Sequence, residues 1–349
     1  MIKRILIAGL ALAAVALAAV AAEPAASPSV GLALLDPDAL PSILLGGMLV
    51  NAANLSSIFT GLKTIFNNAL KAVPGNWQKT AMEVPSSGAG EEYAWLSRFP
   101  KMRKWIGDKV VKAIEAKKYY KANEDWETTI EVDRNDIEDD KIGIYQPQAM
   151  MAGESAGELH DIIVDDLKNN AFTQTGIDGQ YFYDTDHPVG EASVSNKITA
   201  ALSAANLAGV NASYGALRTA IMSFKDEEGM PLRLVPDTLE VPPALEAVAR
   251  IICEKDKLQD NSPNPYQGTA EVVVNPGLTS ATAYFLHVAK KQSIKPFLVQ
   301  MRKRPVFVQQ TSSENDDVFS RRKFKYGAEA RATGLYGFWQ LSAGSTGAG

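Results

Sequence analysis

The residues most suggestive of chemistry are Gly153-Glu154-Ser155-Ala156-Gly157, a G-x-S-x-G match. In a nucleophile elbow such a serine sits on a tight turn between a strand and a helix, and a histidine base follows later in the chain. His187 and His287 follow here, and acids are plentiful. The surroundings argue otherwise. Gln146 to Ala152 is not a β-branched strand, apolar periodicity runs straight through both glycines, and no HGGG-type oxyanion segment occurs. Ser155 is therefore expected in mid-helix, with Gly153 and Gly157 allowing close helix packing at some cost in propensity. A second cluster is Asp184, Asp186 and His187 in YDTDHPV. It reads as a hydrogen-bonded loop corner stiffened by Pro188, since so short a group seldom defines a site alone. A third, DRNDIEDD at 133–140, fails as an EF-hand, because Ile137 and Glu138 stand where an oxygen ligand and glycine are needed. Acids at a helix entry suit the positive helix N-terminus. Cys253 lies in an apolar run and reads as a buried, inert thiol. As the single cysteine, it excludes an internal disulfide and any zinc site needing two thiolates. Nothing calls for a cofactor or a metal.

The elements around these residues read as α+β. Of the 349 residues, 46% are hydrophobic and 21% charged, which excludes wholesale disorder. The net charge of −5 speaks against a free-standing binder that grips phosphates. Leu55, Ile58, Leu62, Ile65, Phe66 and Leu70 predict a helix over 54–72, capped by Asn54 or Ser56 and stopped by Pro74 and Gly75. Residues 85–92 read as a flexible turn. Ala152, Ala156, Leu159, Ile163, Leu167 and Ala171 predict one long helix over 148–171, about 36 Å in length. Further helices are expected over 196–224 and 242–255. Ala270–Val274, Pro296–Gln300, Val306–Gln309 and Phe319–Trp339 look like strands, as does Thr128–Val132.

Residues 93–133 interleave aromatic and basic side chains, among them Trp95, Phe99, Lys101, Arg103, Lys104 and Trp105. Three readings are open: aromatics covering a core, an interface arm, or stacking on single-stranded nucleic acid. The charge balance ranks the last of these lowest.

Several stretches jointly resemble one family. They are EYAWLSRFPKMRKWIGDK (92–109), EVDRNDIEDDKIGIYQP (131–147), DGQYFYDTDHPV (178–189), KPFLVQ (295–300) and YGFWQ (336–340). Their order is similar to that of the Mu-like phage major head subunit family, from about residue 48 to 341. The resemblance implies a tailed-phage major capsid fold. Residues 48–90 would form an N-terminal arm, 91–133 an extended hairpin called the E-loop, and 134–190 a peripheral domain whose spine helix is 148–171. Residues 191–289 would form an axial domain, and 290–349 the return strands and tail. The implied function is self-assembly into hexamers and pentamers of an icosahedral phage head enclosing double-stranded DNA. The implied partners are many copies of the chain, a portal, a scaffold or maturation protease, and decoration proteins, with packaged DNA touched weakly and no membrane in the mature form. Assembly would take place in the host cytoplasm. Contact candidates are Trp95, Phe99, Lys101, Arg103, Lys104, Trp105, Arg302 and Arg304, facing an acidic spine surface that includes Glu154, Glu158 and Asp165. Two alternatives stand beside this: a secreted serine hydrolase using Ser155, and a capsid-fold nanocompartment.

The start of the chain fits a capsid subunit poorly. Residues 1–22 carry Lys3 and Arg4, an apolar stretch and an Ala19-Val20-Ala21 site, which is the secretory signal pattern. A Pro- and Ala-rich linker follows to residue 47. Translation starting at Met48, a prodomain that is removed or acts as scaffold, and true export each account for these 47 residues.

Overall fold

The computed structural model describes residues 52–97, 119–139, 141–290, 292–312 and 316–349. The leader at 1–47 and the contact candidates Phe99, Lys101, Arg103, Lys104 and Trp105 lie outside the described residues.

Helix α1 (Ala52–Ala72) buries Leu55, Phe59, Leu62, Phe66 and Ala69, stepping by three and four as an amphipathic helix must. It begins before both expected caps, so Asn54 and Ser56 are interior residues. Strands β1 (Ala81–Pro85) and β2 (Gly90–Glu92) flank a turn that is held, not loose. Glu91 Oε1 accepts from the backbone N–H of Ser87 at 2.5 Å and Gly88 at 3.1 Å, and from Ser86 Oγ at 3.1 Å. β3 (Tyr120–Ala122) pairs antiparallel with β2. β4 (Glu124–Asp133) extends the expected strand at both ends. Asp133 then caps the short helix α2 (Arg134–Glu138), accepting from Asn135 N–H at 2.8 Å. This fits the reading of DRNDIEDD as a helix entry.

The expected long helix is divided. α3 (Gln146–Gly157) and α4 (Leu159–Asn169) are separated by Glu158, whose ψ of −7° flattens the turn. Backbone bonds bridge the break, from Glu158 N–H to Glu154 C=O at 3.0 Å and from Ile162 N–H to Glu158 C=O at 2.9 Å. The cause is local. Gly157 is a weak helix former, and a Cβ there would lie 2.8 Å from Val73. A Cβ on Gly153 would strike the Phe66 carbonyl and come within 2.8 Å of Ala69 Cβ. Both glycines thus let α3 lie directly on α1.

Hairpin β5 (His187–Val189) and β6 (Ala192–Val194) turns at Gly190, φ +62°. The helix expected over 196–224 begins later. β7 (Lys197–Ile198) is taken as a strand by β13, and Asn206 caps the helical run at Gly209 N–H, 2.9 Å. That run is α5 (Leu207–Val210), a π-helical turn over Asn211–Gly215, and α6 (Ala216–Ser223). β8 (Thr238–Val241), α7 (Glu246–Glu254), β9 (Glu271–Val274) and β10 (Tyr284–His287) follow. β11 (Phe297–Gln310) joins two expected strands into one. Its register slips between Met301 and Val306, where Pro305 has no N–H for the ladder. Residues 316–321 form helix α8 (Asp316–Arg321), so the strand expected from Phe319 starts later, as β12 (Lys323–Tyr336). β13 (Ser342–Ser345) ends the order.

Two main sheets result. One has four strands in the order β1-β11-β12-β4, and the other five in the order β7-β13-β10-β8-β9. α4 lies on β12 because Gly334 leaves room for Ile163 and Leu167, about 2.8–2.9 Å from where a Cβ would sit. The class is α+β, as expected.

The α1–α3 contact yields a paired test. Gly153→Val should lower the unfolding free energy by about 1–3 kcal/mol through overpacking. Gly61→Ala, on the same helix pair but with nothing within 4 Å, should raise it by about 0.4–1 kcal/mol. Urea denaturation of the two variants against the unaltered chain measures both.

Candidate functional site

Ser155 is exposed on α3. It borders a shallow cleft with Trp126, Leu159, Ile162 and Pro305, whose lining includes Glu127 and Glu329 but no histidine. The three histidines are engaged elsewhere. His160 lies 3.1 Å from Glu83 and stacks on Trp77 at 4.5 Å. His187 is fully buried, with Nδ1 2.6 Å from Asp178, Nε2 3.0 Å from Asn196 and its ring 4.1 Å from Trp339. His287 belongs to a buried network described below. No nucleophile elbow is formed, and the hydrolase reading falls. Asp184 accepts from the backbone N–H of Tyr181 and Thr185, which makes YDTDHPV a structural corner. Burial pushes the Cys253 thiol up to about 12, so it is inert. Among the described residues no three His, Cys, Asp or Glu side chains are grouped to hold a metal.

The remaining candidates are surface residues. Trp95 is 37% exposed, its ring against Tyr93 and Phe338. Glu154 and Glu158 are exposed on the α3–α4 surface. Asp165 is not free for a neighbour: its Oδ1 accepts from Asn275 Nδ2 at 2.6 Å. Burial pushes its carboxyl up, with Lys168 opposing. Arg304 is 70% exposed and pairs with Glu83 at 2.5 Å, while Arg302 donates to the Ser86 carbonyl at 3.3 Å. The structure therefore keeps Glu154, Glu158 and part of Trp95 outward and ties Arg302, Arg304 and Asp165 to their own subunit. Sequence reasoning missed an apolar set on the same helical surface: Ile144, Met150, Met151 and Ile162, with Met151 63% exposed. Their signal was position, since they fall off the stripe that faces the core. An exposed apolar group beside charged residues marks a protein contact.

Behind this surface lies the buried network. Lys168, on α4, is 3% exposed and donates to Glu240 Oε1 at 2.7 Å. Asn275 Nδ2 donates to the same oxygen at 2.7 Å, and His287 Nε2 lies 3.1 Å from Glu240 Oε2. His287 Nδ1 lies 2.8 Å from Ser342 Oγ, which in turn lies 2.6 Å from the Tyr183 hydroxyl. Burial alone would raise the Glu240 carboxyl, but Lys168 and His287 outweigh it and hold it at about 2. Burial lowers the His287 imidazole below its ordinary 6.5, with Glu240 opposing.

Comparison with known proteins places these surfaces in context. The family model described as Mu-like prophage major head subunit gpT matches residues 55–208, 199–278 and 277–348. The Mu-like prophage FluMu major head subunit of Haemophilus influenzae is 28% identical over 288 residues, 82% of this chain and 71% of that protein. The major capsid protein of Escherichia phage Mu is 26% identical over 295 residues, 84% of this chain and 74% of the relative. Among solved structures, the procapsid of bacteriophage JBD30 is 26% identical with a TM-score of 0.53, over 85% of this chain and 76% of that one. The JBD30 capsid decorated with minor capsid protein trimers is also 26% identical with a TM-score of 0.53, over 61% of this chain and 94% of that one.

The network makes the fold sensitive to acid. The folded chain keeps protons off Glu240 and His287 where the unfolded chain binds them, near 4.5 and 6.5. Both contributions are complete above pH 6.5 and are lost as pH falls toward 2, so stability rises with pH across that window. Denaturant midpoints should drop steadily from pH 7 toward pH 2, and Glu240→Gln should flatten the slope below pH 4.5. Lys168→Met leaves Glu240 buried without its cation and should cost about 3–5 kcal/mol at pH 7.

Proposed function

The chain belongs to the Mu-like prophage major head subunit family, and from that membership we propose how its surfaces build a shell. It is a major capsid protein with the tailed-phage major capsid fold, a structural component of the virion and not an enzyme. Many copies assemble into hexamers and pentamers of an icosahedral head around double-stranded DNA. The observation that carries the reading is the family match, which runs from residue 55 to 348.

Segment 91–133 serves as the E-loop and lies on a neighbour. Its stretch 98–118 holds eight basic residues against Asp108 and Glu115. The spine surface, α3 and α4 with the turn before them, offers Glu154 and Glu158 beside Ile144, Met151 and Ile162. Opposite charge sets the register, and each exposed pair gives at most about 1 kcal/mol. Trp95, Phe99 and Trp105 supply the apolar anchors that carry more of the energy. Lys101, Arg103 and Lys104 meet the acids, and Arg302 and Arg304 contribute once their own contacts rearrange. Residues 48–90 act as the arm, 134–190 as the peripheral domain and 191–289 as the axial domain, with 290–349 returning to the peripheral domain. Assembly occurs in the host cytoplasm with a portal and a scaffold or maturation protease, and decoration proteins bind outside. The net charge of −5 lets the shell enclose DNA without gripping it.

Electron microscopy of the purified chain tests this. Closed particles are expected, and a chain that remains monomeric at all concentrations would sink the assembly reading. Trp105→Ala should abolish particles while the circular dichroism spectrum is unchanged. Particles of normal size and yield from that variant would rule out Trp105 as an anchor.

A further inference from the structure

One residue of β11 departs from its neighbours. Phe297, Leu298, Val299 and Met301 are buried apolar side chains, and Gln300 among them is fully buried as well. Burying an amide is costly unless its polar atoms are answered. Gln300 Oε1 accepts from the Tyr93 hydroxyl at 2.7 Å. Its Nε2 donates to Asn123 Oδ1 at 2.7 Å and to the Lys121 carbonyl at 3.3 Å. Asn123 Nδ2 donates in turn to Ser86 Oγ and to the Gly88 carbonyl, each at 3.0 Å. Two side-chain amides thus tie β11 to the chain on either side of the β2–β3 pair.

That pair would be weakly held without them. β2 and β3 have three residues each, and a two-stranded ribbon of that size is marginal by itself. None of the three β3 side chains is buried. Tyr93 and Leu96 root the chain after β2 in the core, but β3 has no such root of its own. Burial therefore specifies the register of this ribbon poorly. The bonds from Gln300 and Asn123 end on particular atoms of both sides, and they do specify it. In the sequence, residues 98–118 run between the two strands and carry the contact candidates Phe99, Lys101, Arg103, Lys104 and Trp105.

We propose that Gln300 and Asn123 are positioning residues for assembly: their amides set the register of β2 against β3, and so the point and direction from which segment 98–118 reaches a neighbouring copy. The inference rests on the reading of 91–133 as the E-loop and deepens it by naming what aims it. A slip of one residue moves one strand about 3.4 Å along the other and turns its side chains to the opposite face. A contact built on a few anchors does not survive an error of that size. An apolar residue at 300 would pack like its neighbours on β11 but would not distinguish one register from the next. An amide, with its donor and acceptor in fixed places, does.

The test uses the full chain. Asn123→Ala and Gln300→Leu should each lower the yield of closed particles roughly tenfold or more. Hydrogen exchange should quicken at the amides of 90–93 and 119–123 and stay as it was in α4 and β10. Rescue is the deciding measurement. Glu92 and Tyr120 are exposed and directly opposite, and the bond from Tyr93 N–H to the Tyr119 carbonyl beside them makes theirs a closely spaced pair that accepts a disulfide. Glu92→Cys and Tyr120→Cys, added to Asn123→Ala and oxidised, should restore particles, and reduction should remove them again. The native Cys253 is buried and takes no part. The same disulfide should leave the particle yield of Gly153→Val where it was, and an equal gain there overturns the proposal, because the disulfide would then act through stability. Normal yield from Asn123→Ala or Gln300→Leu also overturns it, as does a yield that stays low once the disulfide has formed, or exchange that stays slow at 90–93. Failure of the unaltered chain to form particles overturns the capsid reading instead.

Discussion

The structure turns on one buried contact, the ammonium of Lys168 against the carboxylate of Glu240. Removing two such charges from water costs several kcal/mol for each, so the arrangement persists only where every lone pair and proton is answered. Here they are. Glu240 Oε1 takes Lys168 and Asn275, and Oε2 takes His287. Lys168 also lies 5.7 Å from the face of Phe297. The participants come from α4, β8, β10, β13 and the end of β9, so the network fixes the helix against the five-stranded sheet. The other side of α4 meets the four-stranded sheet through Ile163, Leu167 and Gly334. An apolar face would tolerate a slide along the helix axis, but the charged face does not. Asp165 with Asn275, Asn169 with Gly277 and Thr279, and the Leu167 carbonyl with Tyr336 add polar ties, so the position of the helix rests on a set of contacts centred on Lys168.

Sequence periodicity found the elements whose partners are local. α1 and α7 follow the 3.6-residue stripe, Asp133 caps the next helix, and β9 reads as a β-branched run. What it missed depends on distant partners. Ser342-Ala343-Gly344-Ser345 has almost no strand preference and is a strand because β10 and β7 pair with it. Lys197 and Ile198 leave an expected helix for the same reason. The break at Glu158 reflects how Gly157 fits Val73, a contact 84 residues away in the chain. Of the site, the inert state of Cys253 and the corner at His187 were legible, because both need only local burial. Asp165 read as a free surface acid because Asn275, which occupies it, lies 110 residues further on. Lys168 did carry a signal: it sits four residues after Val164 and next to Leu167, in the helical stripe that should be apolar. A lysine there needs a buried anion, and sequence alone does not say which.

The division of charge between interior and surface bears on how such a subunit assembles. Charges spent inside the subunit, such as Lys168, Glu240 and Asp165, contribute to rigidity and not to neighbours. Those left outside are exposed and individually weak, so charge alone would not hold a shell together. In the proposed contact the outward apolar residues Ile144, Met150, Met151 and Ile162 would be the better source of energy, and the flanking Glu154 and Glu158 the better source of orientation. Modest contacts have an advantage in a closed assembly. A misplaced subunit held by one weak contact dissociates quickly, whereas a correctly placed one is held by several at once. A rigid subunit strengthens that discrimination, because it cannot distort to satisfy a wrong neighbour. The buried lysine and the exposed methionines thus act on the same outcome: the first fixes the geometry that the second must match.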